Sequence, residues 1–471
     1  ETVLIGSEAG YAINSTDANG TIAIGYQAGY AITSGAGNTA IGYEALKTVT
    51  TGDSNTAIGD GALKLVTGQY NVAVGYRALD SADGGESNNI GIGTNVMGHI
   101  NHDDSDHNVA IGDSALLGGT GTVKRNVAIG SNAMGTGISN NDQTGTVAIG
   151  YDALYSLSTG AGNLAIGYQA MKVHTTGGRN IAIGYQAMDD TDAGSTSLGS
   201  SNNTFIGYEA GGGTWADASC DYNVALGNYT LASALNGAQS NTALGYGAAY
   251  GLTSADSCIA IGHNSMNVHT TGVRNIAIGH GAMDDTDAGG SSLDSNDNVF
   301  IGHDAGGGTW ANASSNYNIG IGSYALDGAL NGAGSNVAIG FQAMSATTTS
   351  DNMVVIGMQA GENVSTGGNS VIIGKDAGRY TYTASSLILI GYSAGEYIGQ
   401  GNTGAQHSVA IGMESGKYAT GSYNTFVGSS AGKGGTTSAP YSSGQYNVAL
   451  GNEALENFTT GNYNVAIGYQ A

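Results

Sequence analysis

Proline occurs once in this 471-residue chain, cysteine twice, and lysine and arginine together only twelve times. The near-absence of proline excludes collagen, and glycine does not recur at every third position as that triple helix requires. Twelve basic residues stand against 36 acidic ones, a net charge of -24. Nucleic acid is therefore excluded as a partner, because no basic stripe exists to release phosphate counterions. No apolar run approaches the roughly 20 residues of a membrane-spanning helix. Neither H-E-x-x-H nor a Cys/His zinc spacing occurs, and no carboxylate pair stands out from the acidic turns. The expectation is a protein that is not an enzyme and carries no cofactor. Hydrophobic residues nevertheless reach 40%, with 27 tyrosines, which argues against disorder.

Glycine is the residue in excess: 82 copies, about 17% of the chain against roughly 7% in ordinary usage. A short motif explains much of it, beginning as Thr2-Val3-Leu4-Ile5-Gly6 and ending as Asn464-Val465-Ala466-Ile467-Gly468. Its marker glycine occurs 26 times at a mean spacing of about 18.5 residues, the range of short solenoid coils. Before each marker stands Ile, Leu or Val, and two residues earlier an aliphatic residue or Thr, usually with Ala between them, as in Val127-Ala128-Ile129. This is strand alternation with β-branched residues on one face and small ones on the other. No apolar pattern of period 3.6 persists, so a helical reading fails. The expected fold is all-β: a parallel β-solenoid (β-roll) of about 26 short coils with strands of four to six residues. Residues 1–471 are read as one array forming a continuous elongated rod.

Four residues before the marker, 18 of the 26 copies carry Asn, including Asn38, Asn126, Asn223, Asn336 and Asn464. Turn chemistry is one reading, and a continuous amide ladder, with identical side chains stacking coil on coil, is the sharper one.

The N-V-A-I-G pattern, as in Asn71-Val72-Ala73-Val74-Gly75, resembles the head repeats of trimeric autotransporter adhesins. It is also similar to the repetitive shafts of phage and marine-virus tail fibres. The resemblance implies a left-handed parallel β-roll, often in a three-chain bundle, whose activity is attachment to surfaces.

Residues 163–262 and 258–357 align at an offset of 95, a duplication of five whole coils. Trp215 and Trp310 occupy matching places in it, read as aromatic lids over a loop or as a carbohydrate-stacking platform. Tyr151, Tyr168, Tyr185 and Tyr208 follow successive markers and form a stacked column, and the equivalents of the last three are His263, His280 and His303. Aromatic-for-aromatic replacement is the plain reading of these imidazoles, and a metal site the alternative. Acid sensitivity below the ordinary histidine pKa, about 6.5, is the expected consequence. Acidic turns containing Asp103, Asp104, Asp106, Asp190, Asp192, Asp285 and Asp287 offer oxygens to calcium but follow no known calcium-loop order. Cys220 and Cys258 lie two coils apart, too far for a disulfide, and are expected to be free thiols.

Sequons at Asn14, Asn19, Asn202, Asn228, Asn312, Asn363 and Asn457 are candidate glycosylation sites. Low charge and Ser/Thr-rich turns suit an extracellular location. The first and last coils read like interior ones, which gives Val3, Leu4, Ile5, Val465, Ile467 and Tyr469 as self-association surfaces. Together these readings lead to a structural subunit of an extracellular filament. It would bind copies of itself head to tail, and laterally as well. A surface-binding adhesin or tail-fibre shaft that contacts surface glycans is the alternative.

Overall fold

A computed structural model describes the chain except for residues 15, 82–83, 120, 136–142, 192–198, 216–217, 287–293, 311–312, 401–404, 436 and 438–440. It contains two compact units, Glu1–Gln239 and Ser240–Ala471, and each is a parallel β-solenoid. In the first unit the principal ladder runs from Val3–Ile5 through Ile22–Ile24 and Thr39–Ile41 to Val224–Leu226. In the second it runs from Thr242–Leu244 to Val465–Ile467. Pairing is in register: Val3 with Ile22, Leu4 with Ala23 and Ile5 with Ile24 in the first unit, and Val448 with Val465 through Leu450 with Ile467 in the second. Short accessory ladders join Val123–Lys124 to Gln143–Thr144, and Thr366–Gly368 to Thr383–Ser385. The helical element among the described residues is a single 3-10 turn, Thr16–Ala18.

The principal strands are three residues long rather than the four to six expected, and the marker glycine is the reason. Its φ is positive, +139° at Gly42 for example, which takes the backbone out of the β region and ends the strand. A Cβ at Gly42 would run into the carbonyl oxygen of Gly59 in the next coil. The close approach of successive coils thus demands glycine at this column. Two further positions, two and four residues on, are left-handed in coil after coil, as at Glu44 (φ 52°) and Leu46 (φ 50°).

The inward face of each strand is its small central residue: Ala40, Ala57 and Ala73 are fully buried. The β-branched flanking residues point outward, with Ile58 at 39% and Ile92 at 40% exposure. Core volume comes from the turn instead, where Leu46, Leu63 and Leu79 are fully buried. Where the strand centre is large, the residue four after the marker is glycine, as in Phe205 with Gly211, Phe300 with Gly306 and Leu389 with Gly395. A Cβ at Gly211 would overlap the Phe205 ring, and one at Gly395 would overlap the Leu389 methyls. In these coils the two columns share one volume, filled from one side or the other.

Candidate functional site

The buried Asn column is a hydrogen-bonded chain. Asn38 Nδ2 donates to Gly52 O at 2.8 Å, and its Oδ1 accepts the backbone N–H of Asn55 at 2.9 Å. Asn55 Oδ1 in turn accepts the N–H of Asn71 at 2.9 Å. Asn126, Asn223, Asn336 and Asn464 repeat the pattern, each N–H donating to the side-chain oxygen one coil earlier. Amides that would be costly to leave unmade inside the coil are thereby satisfied. Cys258 stands in this column, where its N–H donates to Asn241 Oδ1. Its thiol is pushed up to about 11 by burial. Both Cys220 and Cys258 are buried, and neither is in a disulfide.

Outside the coils lies the aromatic column. Tyr151, Tyr168, Tyr185 and Tyr208 stack with centroids 5.4, 5.1 and 5.0 Å apart. The Glu209 carboxylate beside Tyr208 accepts its hydroxyl and raises its pKa to about 12. In the second unit Tyr246, His263, His280 and His303 stack likewise, with 5.0 Å between successive imidazoles. Asp304 adjoins the last two: Oδ1 lies 3.8 Å from His280 Nδ1 and Oδ2 lies 3.1 Å from His303 Nδ1. Asp284 and Asp327 surround Asp304, and burial with mutual repulsion pushes each up to about 6. Among the described residues, His280, His303 and Asp304 are the group of metal-competent side chains that converges, all ligand atoms lying within 4.8 Å of one another.

The acidic calcium candidates do not join that group. Asp106 Oδ1 accepts the Ser87 N–H at 2.7 Å, Asp103 Oδ1 accepts that of Gly85 at 3.4 Å, and Asp104 pairs with Lys124 at 3.4 Å. Asp190 and Asp285 accept the hydroxyls of Thr214 and Thr309. Asp192 and Asp287 lie outside the described residues, as does the sequon asparagine Asn312. Of the other sequons, Asn14, Asn19, Asn228 and Asn457 are exposed, whereas Asn202 and Asn363 are half-buried. Asn363 Nδ2 already donates to Arg379 O at 2.9 Å.

Trp215 and Trp310 correct the stacking-platform alternative. They are 1% and 2% exposed, tilt against Phe205 and Phe300, and donate their Nε1–H to Gly211 O and Gly306 O. Burying the ring and satisfying its one donor leaves no face for a sugar. His174 and His269, which drew no attention in the sequence, are buried and bridge the Asn column to Thr191 and Thr286 at 2.9 Å. The repeated Val-His-Thr-Thr-Gly at both places was the available signal.

Against the expectation that no G-x-S-x-G elbow is present, the sequence holds that pattern twice, at Gly391-Tyr392-Ser393-Ala394-Gly395 and Gly428-Ser429-Ser430-Ala431-Gly432. Each falls on the marker turn, and each central Ser is left-handed, with φ 51° and 54°. Neither leads into a helix as a nucleophile elbow does. Among the described residues no hydrogen bond joins either Ser Oγ to an imidazole, so both segments read as coil geometry.

The terminal strands are the most open. Val3, Leu4 and Ile5 are 44–58% exposed, and Val465, Ile467 and Tyr469 are 67–71% exposed. No helix among the described residues is long and apolar enough to cross a membrane. Compared with known protein families, curated proteins and solved structures, the chain matches none.

Proposed function

We propose that this chain is a non-enzymatic structural subunit of an extracellular filament, joined end to end with copies of itself. The observation that carries the reading is the invariant register within each unit. Strand after strand pairs at the same three positions, so every strand is a template for the next coil. Val3–Ile5 and Val465–Ile467 are strands of that same kind. Pairing one with the other across two copies would set Thr2 of one copy against Asn464 of the next and cover the apolar side chains, as in-register stacking does wherever strand edges stay open. The low charge and Ser/Thr-rich turns support the extracellular setting.

The test is sedimentation velocity on the 471-residue protein and on a Val465→Lys/Ile467→Lys variant, since lysines on an edge oppose pairing. Species that lengthen with concentration in the unmodified protein and vanish in the variant are expected. A monomer at every concentration, or unchanged assembly of the variant, would overturn the proposal.

One observation favours a second reading, a surface-binding adhesin or tail-fibre shaft of laterally packed chains. The half-exposed Val/Ile columns make an apolar sheet face that side-by-side chains would bury. That reading expects a fixed stoichiometry, three chains by the family resemblance, independent of concentration.

A further inference from the structure

The duplicated coils provide an internal comparison. Position for position, Tyr185, Gln186, Tyr208 and Glu209 in the first copy stand where the second has His280, Gly281, His303 and Asp304. The two settings share the same backbone, down to φ 49° at both Glu209 and Asp304. In the first copy the four residues are tied up among themselves and their column. Gln186 Nε2 donates to Gln169 Oε1 at 3.1 Å, and Tyr208 donates to Glu209.

In the second copy all four replacements act together. Two phenols become imidazoles, and a shorter carboxylate turns toward them. Loss of the side chain at position 281 opens the space that carboxylate occupies, because a Cβ on Gly281 would collide with Asp304 Oδ1 and meet Asp284 Oδ2 at 3.3 Å.

We propose that His280, His303 and Asp304 form a binding site for a divalent transition-metal ion of the zinc class, joining two adjacent coils. His280 follows the strand Ile276–Ile278, and His303 and Asp304 follow Val299–Ile301, which pairs with it in register. An N₂O donor set suits Zn²⁺, Ni²⁺, Co²⁺ or Cu²⁺, while imidazole nitrogens give calcium nothing it prefers. Tetrahedral zinc, with bonds of about 2.0–2.2 Å, places its ligand atoms roughly 3.3–3.5 Å apart. The observed separations are 3.8 Å from Oδ1 to His280 Nδ1 and 3.1 Å from Oδ2 to His303 Nδ1, and one ligand atom from each of the three residues falls within 4.8 Å of the others, so the side chains must draw together to close the site. The side chains of His280 and His303 are 57% and 46% exposed, so both can tilt to converge their Nδ1 atoms. Asp284 and Asp327 beside them add negative potential, and water would complete the coordination.

The test measures Zn²⁺ by isothermal titration and Co²⁺ by its visible absorption in the full chain. The reference is the quadruple variant His280→Tyr, Gly281→Gln, His303→Tyr, Asp304→Glu. This variant writes in the residues that the chain itself uses 95 positions earlier and leaves the charge of -24 unchanged, so non-specific attraction to the acidic surface is held constant. The expected result is a saturable site, one per chain, with an intense tetrahedral-type Co²⁺ spectrum and a melting temperature raised by Zn²⁺. All three should be lost in the quadruple variant. Asp304→Asn, which removes one ligand and no packing, should weaken Zn²⁺ at least tenfold. Absence of a saturable site in the unmodified protein, or equal affinity in either variant, would overturn the proposal.

Discussion

Asn203 shows what a single residue contributes to this architecture. Its N–H and Nδ2 donate to Asn180 Oδ1, its Nδ2 also donates to Cys220 O at 2.8 Å, and its Oδ1 accepts from Asn223 N at 2.9 Å. Asn203→Ala would leave Cys220 O and the Asn223 N–H buried without these partners. At about 1–3 kcal/mol for each lost partner, a loss of roughly 2–6 kcal/mol is expected. Hydrogen exchange should localise it, with the Asn223 amide losing protection first. Asp189 presents the opposite case, a residue that costs stability. Burial, then the charge of Asp190, pushes its carboxyl up to about 6. The folded state therefore holds this proton where the unfolded chain, titrating near 3.9, has released it. Stability from this group falls as pH rises from about 4 to 6, and the full penalty applies above that. Asp189→Asn should stabilise the protein at pH 7.5 by on the order of 1 kcal/mol once solvent screening is allowed for, and not at pH 4. Melting curves of both proteins at the two pH values would show it.

At the scale of the element, one coil is a three-residue strand and a turn that share a core volume. Leu389 and Gly395 illustrate the sharing, since half of the 26 coils place Ala at the first position and Leu or Met at the second. Leu389→Ala alone leaves a cavity and should cost about 2–5 kcal/mol. Gly395→Leu alone overpacks, costing about 1–3 kcal/mol. The double variant should return to within about 1 kcal/mol of the parent, a coupling that denaturant unfolding of all four proteins can measure. Additive losses would refute the shared volume.

Much of this was legible from the sequence. The marker glycine, the alternation around it and the Asn column located the strands and set their register. The inward face was not legible, because alternation separates two faces without saying which is buried. The usual rule that β-branched residues go inside fails where a Leu or Met of the turn already fills the core and leaves the strand centre room for alanine. The Leu/Met and Gly classes were visible as classes, but their cause needed the contacts of Gly211 and Gly395 with the strand centre. Likewise His280, His303 and Asp304 were readable as column members. Their convergence depends on the adjacent coil and on the missing side chain of Gly281, neither of which spacing reveals.

At the scale of the whole molecule, one coil pattern is repeated throughout the described residues. Each unit pairs thirteen principal strands in one unvarying register, and the features outside that pattern modify columns rather than interrupt them. On the proposed function, such a chain adds another coil to an open strand. Its outward Val/Ile columns and acidic turns then decide how neighbours sit beside it. The most direct test is cryo-electron microscopy of the 471-residue protein at high concentration. The expected result is filaments in which Val465–Ile467 of one copy lies beside Val3–Ile5 of the next, with the strand spacing of about 4.8 Å continuing through the junction. A field of separate, monodisperse particles with no end-to-end contact would contradict it.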